Sequence, residues 1–377
     1  MSAEVRAPSV VPLVDLAAQQ ADVHDEVMAE LAGVFKEAAF IGGPAVARFE
    51  AAYASFIGVR HCIGVANGTD ALELALRAGG VTRGGEVILP ANTFIATAEA
   101  VSRIGAVPVP VDVDPEYLLI APDAAAAAVT SRTQAIMPVH LFGQTAFVEQ
   151  LAPIAGACGA VIIEDAAQSQ GATRFGAAAG TLGLAAGTSF YPGKNLGAAG
   201  DAGAVLTSDP SVAERVRMLG AHGSSKKYRH DAVGINSRLD TVQAVVLKAK
   251  LERLESWNLL RRAAAVRYSE LLADVPGVVL PREAAGNVDV WHLYVVRVPR
   301  RDAVLAALHE AGVQAGIHYP VPVHLSGAYE ADGRVQGSFP VAEEAAGTIL
   351  SLPLYPHITA GQQERVVEAL RHAMEAS

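Results

Sequence analysis

Cysteine is scarce in this sequence: Cys62 and Cys158 are the only two, and neither belongs to a Cys-x-x-Cys pair. A disulfide framework needs more of them and a zinc site needs closer spacing, so two free thiols in a reducing compartment are expected. No apolar run approaches the roughly 18 residues of a membrane-spanning helix. The stretch Met1 to Asp25 lacks the basic segment and long apolar core of a secretory leader. A cytoplasmic location without membrane contact is the expectation. Basic residues are outnumbered, 29 Lys and Arg against 39 Asp and Glu, for a net charge of −10. That balance argues against a general nucleic-acid binder, which needs a basic footprint. It leaves a phosphorylated small substrate open, because a few local donors suffice to hold one.

What is present is apolar and alternating. Of 377 residues 51% are apolar, enough for a sizeable core, and the length favours two domains sharing a cleft. Strand-like runs at Cys62–Ala66, Glu86–Pro90, Val107–Val111, Gln134–Val139, Ala160–Ile163 and Ala202–Thr207 alternate with helical patterns. Several are near-continuously apolar, as strands covered on both faces of a largely parallel sheet are. An α/β domain over residues 1–250 is expected. One long helix, with a bend, is expected from Asp240 to about Ala273. A smaller α+β domain then covers 251–377, with strands at Trp291–Val298 and Val313–His318 and a helix at Arg301–Glu310.

Four pieces of chemistry fall at predicted strand ends. In Ala160-Val-Ile-Ile-Glu-Asp-Ala-Ala-Gln168 an apolar strand ends in two carboxylates, Glu164 and Asp165, which alternation turns to opposite faces. Ligands of open α/β sheets bind beyond such carboxyl ends. A carboxylate there suits a protonated ring nitrogen, as pyridoxal phosphate requires; the competing reading is a loop cap. Lys194 lies in Gly187-Thr-Ser-Phe-Tyr-Pro-Gly-Lys-Asn-Leu-Gly197. A phosphate-binding P-loop fails there, because five residues rather than four separate Gly187 from Gly193 and Asn195 follows the lysine. A lysine of lowered pKa can form a Schiff base; the competing reading is a solvated loop lysine. In Val65-Ala-Asn-Gly-Thr-Asp-Ala-Leu72 a strand runs into a helix start, a ready phosphate cradle, or simply a cap at Thr69 or Asp70. Phe94 follows a strand and is placed to stack on a planar ring, or to fill the core.

Taken together with Val11-Pro-Leu-Val-Asp-Leu16, Pro138-Val-His-Leu-Phe-Gly-Gln144, Asn236-Ser-Arg-Leu-Asp240, Ile317-His-Tyr-Pro-Val-Pro-Val-His324 and Leu350-Ser-Leu-Pro353, these motifs span nearly the whole chain in order. The sequence resembles the DegT-type nucleotide-sugar aminotransferases, a branch of the fold-type I pyridoxal-phosphate enzymes. The resemblance implies Lys194 as the Schiff-base lysine and proton shuttle, and Asp165 as the partner of the ring nitrogen. It implies Gln168 on the ring hydroxyl, Gly68, Thr69 and Ser189 on the phosphate, and Phe94 on the ring face. Asn236 would reach the cofactor of a neighbouring subunit, making a homodimer with shared sites. His318 and Tyr319, with His324 nearby, would line the sugar-nucleotide mouth. Two departures from that family's pattern, Thr188 and Ala202, lie close to the lysine loop and are expected to bear on sugar fit.

The implied reaction is a two-stage transamination, with L-glutamate as donor and a keto sugar linked to a nucleotide as acceptor. Tyr191-Pro-Gly-Lys194, Ser225-Lys-Lys-Tyr228 and Tyr319-Pro-Val-Pro-Val-His324 look most like enzymes acting at C3 of dTDP-3-keto-6-deoxyhexoses. Enzymes acting at C4 of dTDP- or UDP-4-keto sugars share most of these residues. Related dehydratases carry His where Lys194 stands. A non-catalytic regulator keeping the fold is the alternative of another class. A pyrophosphate approaching so acidic a chain needs local cations, and Lys226, Lys227, Arg229 and Arg238 form the densest basic group near the motifs.

Overall fold

The computed structural model describes residues 10–376; the first nine residues of the amino-terminal stretch considered above lie outside it. Its centre is a seven-stranded sheet. The strands are β1 (His61–Val65), β2 (Glu86–Pro90), β3 (Val107–Val111), β4 (Thr133–Ile136), β5 (Val161–Asp165), β6 (Ala185–Ser189) and β7 (Gly203–Thr207). Their order is β1-β7-β6-β5-β4-β2-β3. Only β7 runs against the rest. Every residue of β2 and β7 is buried, as the unbroken apolar runs predict. The edge strand β3 reads Val-Pro-Val-Pro-Val. Proline donates no hydrogen bond, so this strand is confined to the rim of a sheet.

Helices cover both faces: α2 (His24–Glu37), α3 (Gly43–Ile57), α4 (Gly68–Ala78), α5 (Ile95–Arg103), α7 (Val148–Cys158) and α8 (Pro210–Gly220), with short helices α1 (Leu16–Ala21) and α6 (Pro122–Ala127). The long helix α9 spans Thr241–Leu272 without interruption. The element holds neither proline nor glycine to break it where a bend was expected. At 1.5 Å per residue it is about 48 Å long. It packs on α2 and α3 at one end and on α12 (Ala360–Ala376) at the other. The expected domain junction at 250/251 therefore falls inside a helix.

The carboxyl-terminal part holds α10 (Arg301–Glu310), α11 (Pro340–Thr348) and an antiparallel pair, β8 (Tyr294–Arg297) and β9 (Ile349–Leu352). Tyr294, Val296, Leu308, Leu350 and Leu370 share one apolar cluster there with Val11 of the amino-terminal arm. The strand expected over Val313–His318 does not form. Val313 pairs with Val11 and Gly316 with Ser351, so the segment touches two different partners at single points. Among the described residues no helix is long and apolar enough to cross a membrane. Cys62 and Cys158 are unpaired.

Candidate active site

A cavity of about 430 Å³ opens at the carboxyl edge of the sheet. Ten of the fourteen predicted site residues line it: Gly68, Thr69, Phe94, Asp165, Gln168, Ser189, Tyr191, Lys194, His318 and Tyr319.

One wall is the start of α4. Its cap is Asn67, whose Oδ1 accepts the Asp70 N–H at 2.8 Å. Neither Thr69 nor Asp70 is the cap. The amides of Gly68 and Thr69 therefore belong to the first turn, where a helix has no internal acceptor for them. They face the end of β6 closely. A Cβ on Gly68 would lie 2.6 Å from that of Ser189, so only glycine permits the approach. Two free amides and the Ser189 hydroxyl make a cradle for a phosphate, aided by the helix dipole.

Asp165 ends β5 and is buried. Its Oδ2 accepts from Thr97 Oγ1 at 2.8 Å and its Oδ1 from the Ala167 N–H at 3.1 Å. Burial raises its pKa; Thr97, Ala167, Lys194 and His140 oppose the rise. Glu164 turns to the other face, as alternation requires. It accepts the Gly180, Leu182 and Gly183 amides and pairs with His140 at 2.8 Å. The first carboxylate is thus left for a ligand and the second is consumed in holding the fold. Lys194 lies in the return from β6 to β7. Burial pulls its pKa down from 10.5 and Asp165 partly restores it, leaving it at about 8. An amine so tuned is neutral in a useful fraction near neutral pH.

The aromatic wall is Phe94, the residue before α5, with Tyr319 at 5.2 Å between ring centroids. Gln168 links them to the sheet: Nε2 donates to Tyr319 Oη at 2.9 Å, and Oε1 accepts the Phe142 N–H at 2.7 Å. Burial, then Lys194, lowers the His318 pKa to about 4; its Nδ1 meets Ser351 Oγ at 2.8 Å.

Four predicted residues are not at this cavity. Asn236, Lys227 and Arg238 are exposed, Lys227 next to the hairpin strand Ser224–Lys226. His324 is sealed in the interior, with Nε2 on Glu343 Oε1 at 3.0 Å and Phe339 edge-on to its ring. The carboxylate and the aromatic hold it away from the mouth it was expected to line. The two departures also lie behind the site. Thr188 is buried, its hydroxyl donating to the Ala166 carbonyl and accepting from Gln170. Ala202 packs with Phe49, Tyr53 and Phe190. Neither can reach a sugar.

Sequence reasoning missed Thr97, Asn195, His292 and the arm residues Leu13 and Val14. His292, Leu13 and Val14 line the cavity. Thr97 carried one local signal: Thr93, in the turn just before α5, precedes it by four residues, and their hydroxyls meet at 2.7 Å.

Residues 21–371 match the DegT/DnrJ/EryC1/StrS aminotransferase family. The chain belongs to that family. A relative in Saccharopolyspora erythraea, the erythromycin biosynthesis sensory transduction protein EryC1, is 46% identical over 96% of this chain and 99% of its own. The dTDP-3-amino-3,4,6-trideoxy-alpha-D-glucose transaminase of Streptomyces venezuelae is 44% identical over 100% of this chain and 99% of its own. The crystal structure of DesV from S. venezuelae, in complex with a ketimine intermediate, superposes with a TM-score of 0.95. It is 45% identical and covers 98% of this chain and 99% of that one. The fold is that of the fold-type I aminotransferases, and the cavity lies where that family's sequence motifs converge.

Proposed function

We propose that this aminotransferase uses pyridoxal 5′-phosphate to convert a dTDP-3-keto-6-deoxyhexose to the 3-amino sugar, with L-glutamate as amino donor. The observation that carries the reading is the convergence of Lys194, Asp165 and the α4 cradle on one cavity. The donor set fits the cofactor: free amides and Ser189 for a phosphate, Phe94 for a ring face, a carboxylate for a ring nitrogen and an amine of lowered pKa. The name of the transaminase relative supports the substrate class, and the ketimine intermediate in the DesV complex supports the reaction type.

When bound, the cofactor supplies the electron sink. The chain supplies attachment, orientation and proton movement. Lys194 would hold the cofactor through Nζ and, once released, would accept and return a proton at that nitrogen. Asp165 stays ionised opposite the ring nitrogen with help from Thr97 and Ala167. Gln168 takes the ring hydroxyl. Tyr191, His318 and Tyr319 flank the sugar side. Asn236, Lys227 and Arg238 are exposed and off their own cavity, which supports their serving the site of a second copy in a homodimer. Tyr228 and Val233 beside them are 86% and 87% exposed, an apolar presentation that suits a covered surface.

The test is a product assay with a panel of dTDP- and UDP-linked 3-keto and 4-keto sugars and glutamate. A 3-amino product from a dTDP sugar is expected. A 4-amino product would move the reaction to C4. Cofactor binding without turnover on any of them would favour a regulator, a role that the name of EryC1 raises for that relative.

A further inference from the structure

The phosphate cradle and the lysine loop are both tied to one buried side chain on α9. Asn258 lies near the middle of that helix and is only 3% exposed. Its Nδ2 donates to the Gln170 carbonyl at 2.9 Å, and its Oδ1 accepts from Asn195 Nδ2 at 2.9 Å. Beyond the first contact lies the cradle. Gln170, buried as well, donates Nε2 to the Ser189 carbonyl at 2.9 Å, to the Ala167 carbonyl at 3.1 Å and to Thr188 Oγ1 at 3.1 Å. Ser189 is the residue that faces Gly68 across the cradle. Beyond the second contact lies the lysine. Asn195 directly follows Lys194, and its amide is held on both edges: Nδ2 also donates to the Val290 carbonyl at 3.0 Å, and Oδ1 meets His292 Nδ1 at 3.1 Å.

An asparagine suits this junction because one planar group offers a donor on one edge and an acceptor on the other. Neither partner can exchange roles. The Gln170 carbonyl only accepts, and the Asn195 amide nitrogen only donates. The approach is close: Gly171 has a φ of 94°, and a Cβ there would lie 2.8 Å from Asn258 Nδ2. Gly193, just before the lysine, is under no such pressure. A Cβ there would meet nothing nearer than the Tyr191 ring at 3.6 Å. Rotation about Gly193 would move the lysine relative to Ser189, and the bond from Asn195 to Asn258 opposes it from outside the loop.

We infer that Asn258 is a positioning residue that sets the separation of the phosphate cradle and Lys194, so that one ligand engages both at once. The inference rests on the reading of those two places as the points of cofactor attachment. It adds that their spacing is fixed before the ligand arrives. A ligand held at two points gains affinity from the second only where the two are correctly spaced. A ligand held at one point is indifferent to the spacing. No covalent bond is made or broken at Asn258.

The test compares two ligands on the apoprotein: pyridoxal 5′-phosphate, and pyridoxal, which lacks the phosphate. Each is titrated separately, and its dissociation constant is read from the visible absorbance that attachment to a lysine produces. Lys194→Ala supplies the background from other lysines. Asn258→Leu removes both contacts at nearly the same volume. It should lower the ratio of the two affinities, phosphorylated over unphosphorylated, by about 10-fold, chiefly by weakening the phosphorylated ligand. An unchanged ratio overturns the inference even where both affinities fall together, since a merely structural side chain would give that result. If Asn258→Leu does not fold, Asn195→Ala cuts the lysine side of the junction alone and is judged by the same ratio. A wild type that prefers the phosphorylated ligand, with the ratio unmoved in the variant, sinks only this inference. A wild type that binds the two ligands equally, or whose absorbance matches that of Lys194→Ala, sinks the reading beneath it.

Discussion

Replacing Lys194 by methionine should make the cofactor-free protein more stable while ending its catalysis. The amine is held in a cavity that lowers its pKa from 10.5 to about 8. Below pH 8 the lysine is charged in both the folded and unfolded states, and the folded state bears the whole desolvation cost. The drop corresponds to roughly 3 kcal/mol. Lys194 is partly open to the cavity, and water there screens some of this, so a gain of about 1–3 kcal/mol is expected for Lys194→Met at pH 7. The sign reverses the usual expectation for a buried substitution. Between pH 8 and 10.5 the folded wild type sheds the proton first, so its stability climbs and the advantage of the variant shrinks. Above that window the difference should vanish. Denaturant unfolding of both apoproteins at one protein concentration, from pH 6.5 to 10.5, measures it. A variant that is less stable at pH 7, or an advantage that does not change across the window, would refute the reasoning.

Other consequences are direct. Asp165→Asn should keep the fold and slow transamination by about 10- to 150-fold, the worth of one charge-assisted hydrogen bond; Thr97→Val, which only unsettles Asp165, should slow it less, and single-turnover kinetics would separate the two. Glu164→Gln removes a buried carboxylate from three amides and His140 and should destabilise the protein by about 3–5 kcal/mol, read from denaturant midpoints. Lys194→Ala and Asn236→Ala, each impaired alone, should regain activity when co-expressed, since one hybrid site is intact; a fully active monomer in sedimentation would exclude a shared site. Lys227→Ala and Arg238→Ala should raise the Michaelis constant for the sugar nucleotide and spare that for glutamate; equal effects on both would remove these residues from the pyrophosphate path.

Six of the seven strands were legible because they lie in a covered sheet and read as apolar runs; β6 was missed, because Ala-Ala-Gly-Thr-Ser is built of small residues that carry no such run. The bounds of Arg301–Glu310 were legible at the carboxyl end, where Gly312 with φ of 75° stops the helix, although no side chain caps its start. The Val313–His318 segment misled because alternation is a local signal and pairing is not: an apolar run becomes a strand only where a partner runs beside it. The same limit explains the site. Lys194, Asp165 and Phe94 were legible because strand ends put them on one edge. His324 was not, because its burial depends on Glu343, from a helix that the mouth motif does not mention. Thr188 looked influential for its place next to Ser189, but adjacency on a strand means opposite faces. A residue that acts through another, such as Thr97, carries no motif of its own.

The reversed strand β7 shapes what the lysine can do. Had β7 run with its neighbours, the chain leaving β6 would have crossed to the far rim of the sheet before starting again, as a parallel connection must. Because it runs back, Ser189 pairs with Gly203 and the intervening loop begins and ends at the cavity. Its neck is stitched by main-chain bonds from Phe190 to Ala202 and from Ala198 to Phe190. Such a short noose has little freedom left to lose. The noose is tied by the chain's own main-chain bonds, so Lys194 is held at the cavity without help from any ligand.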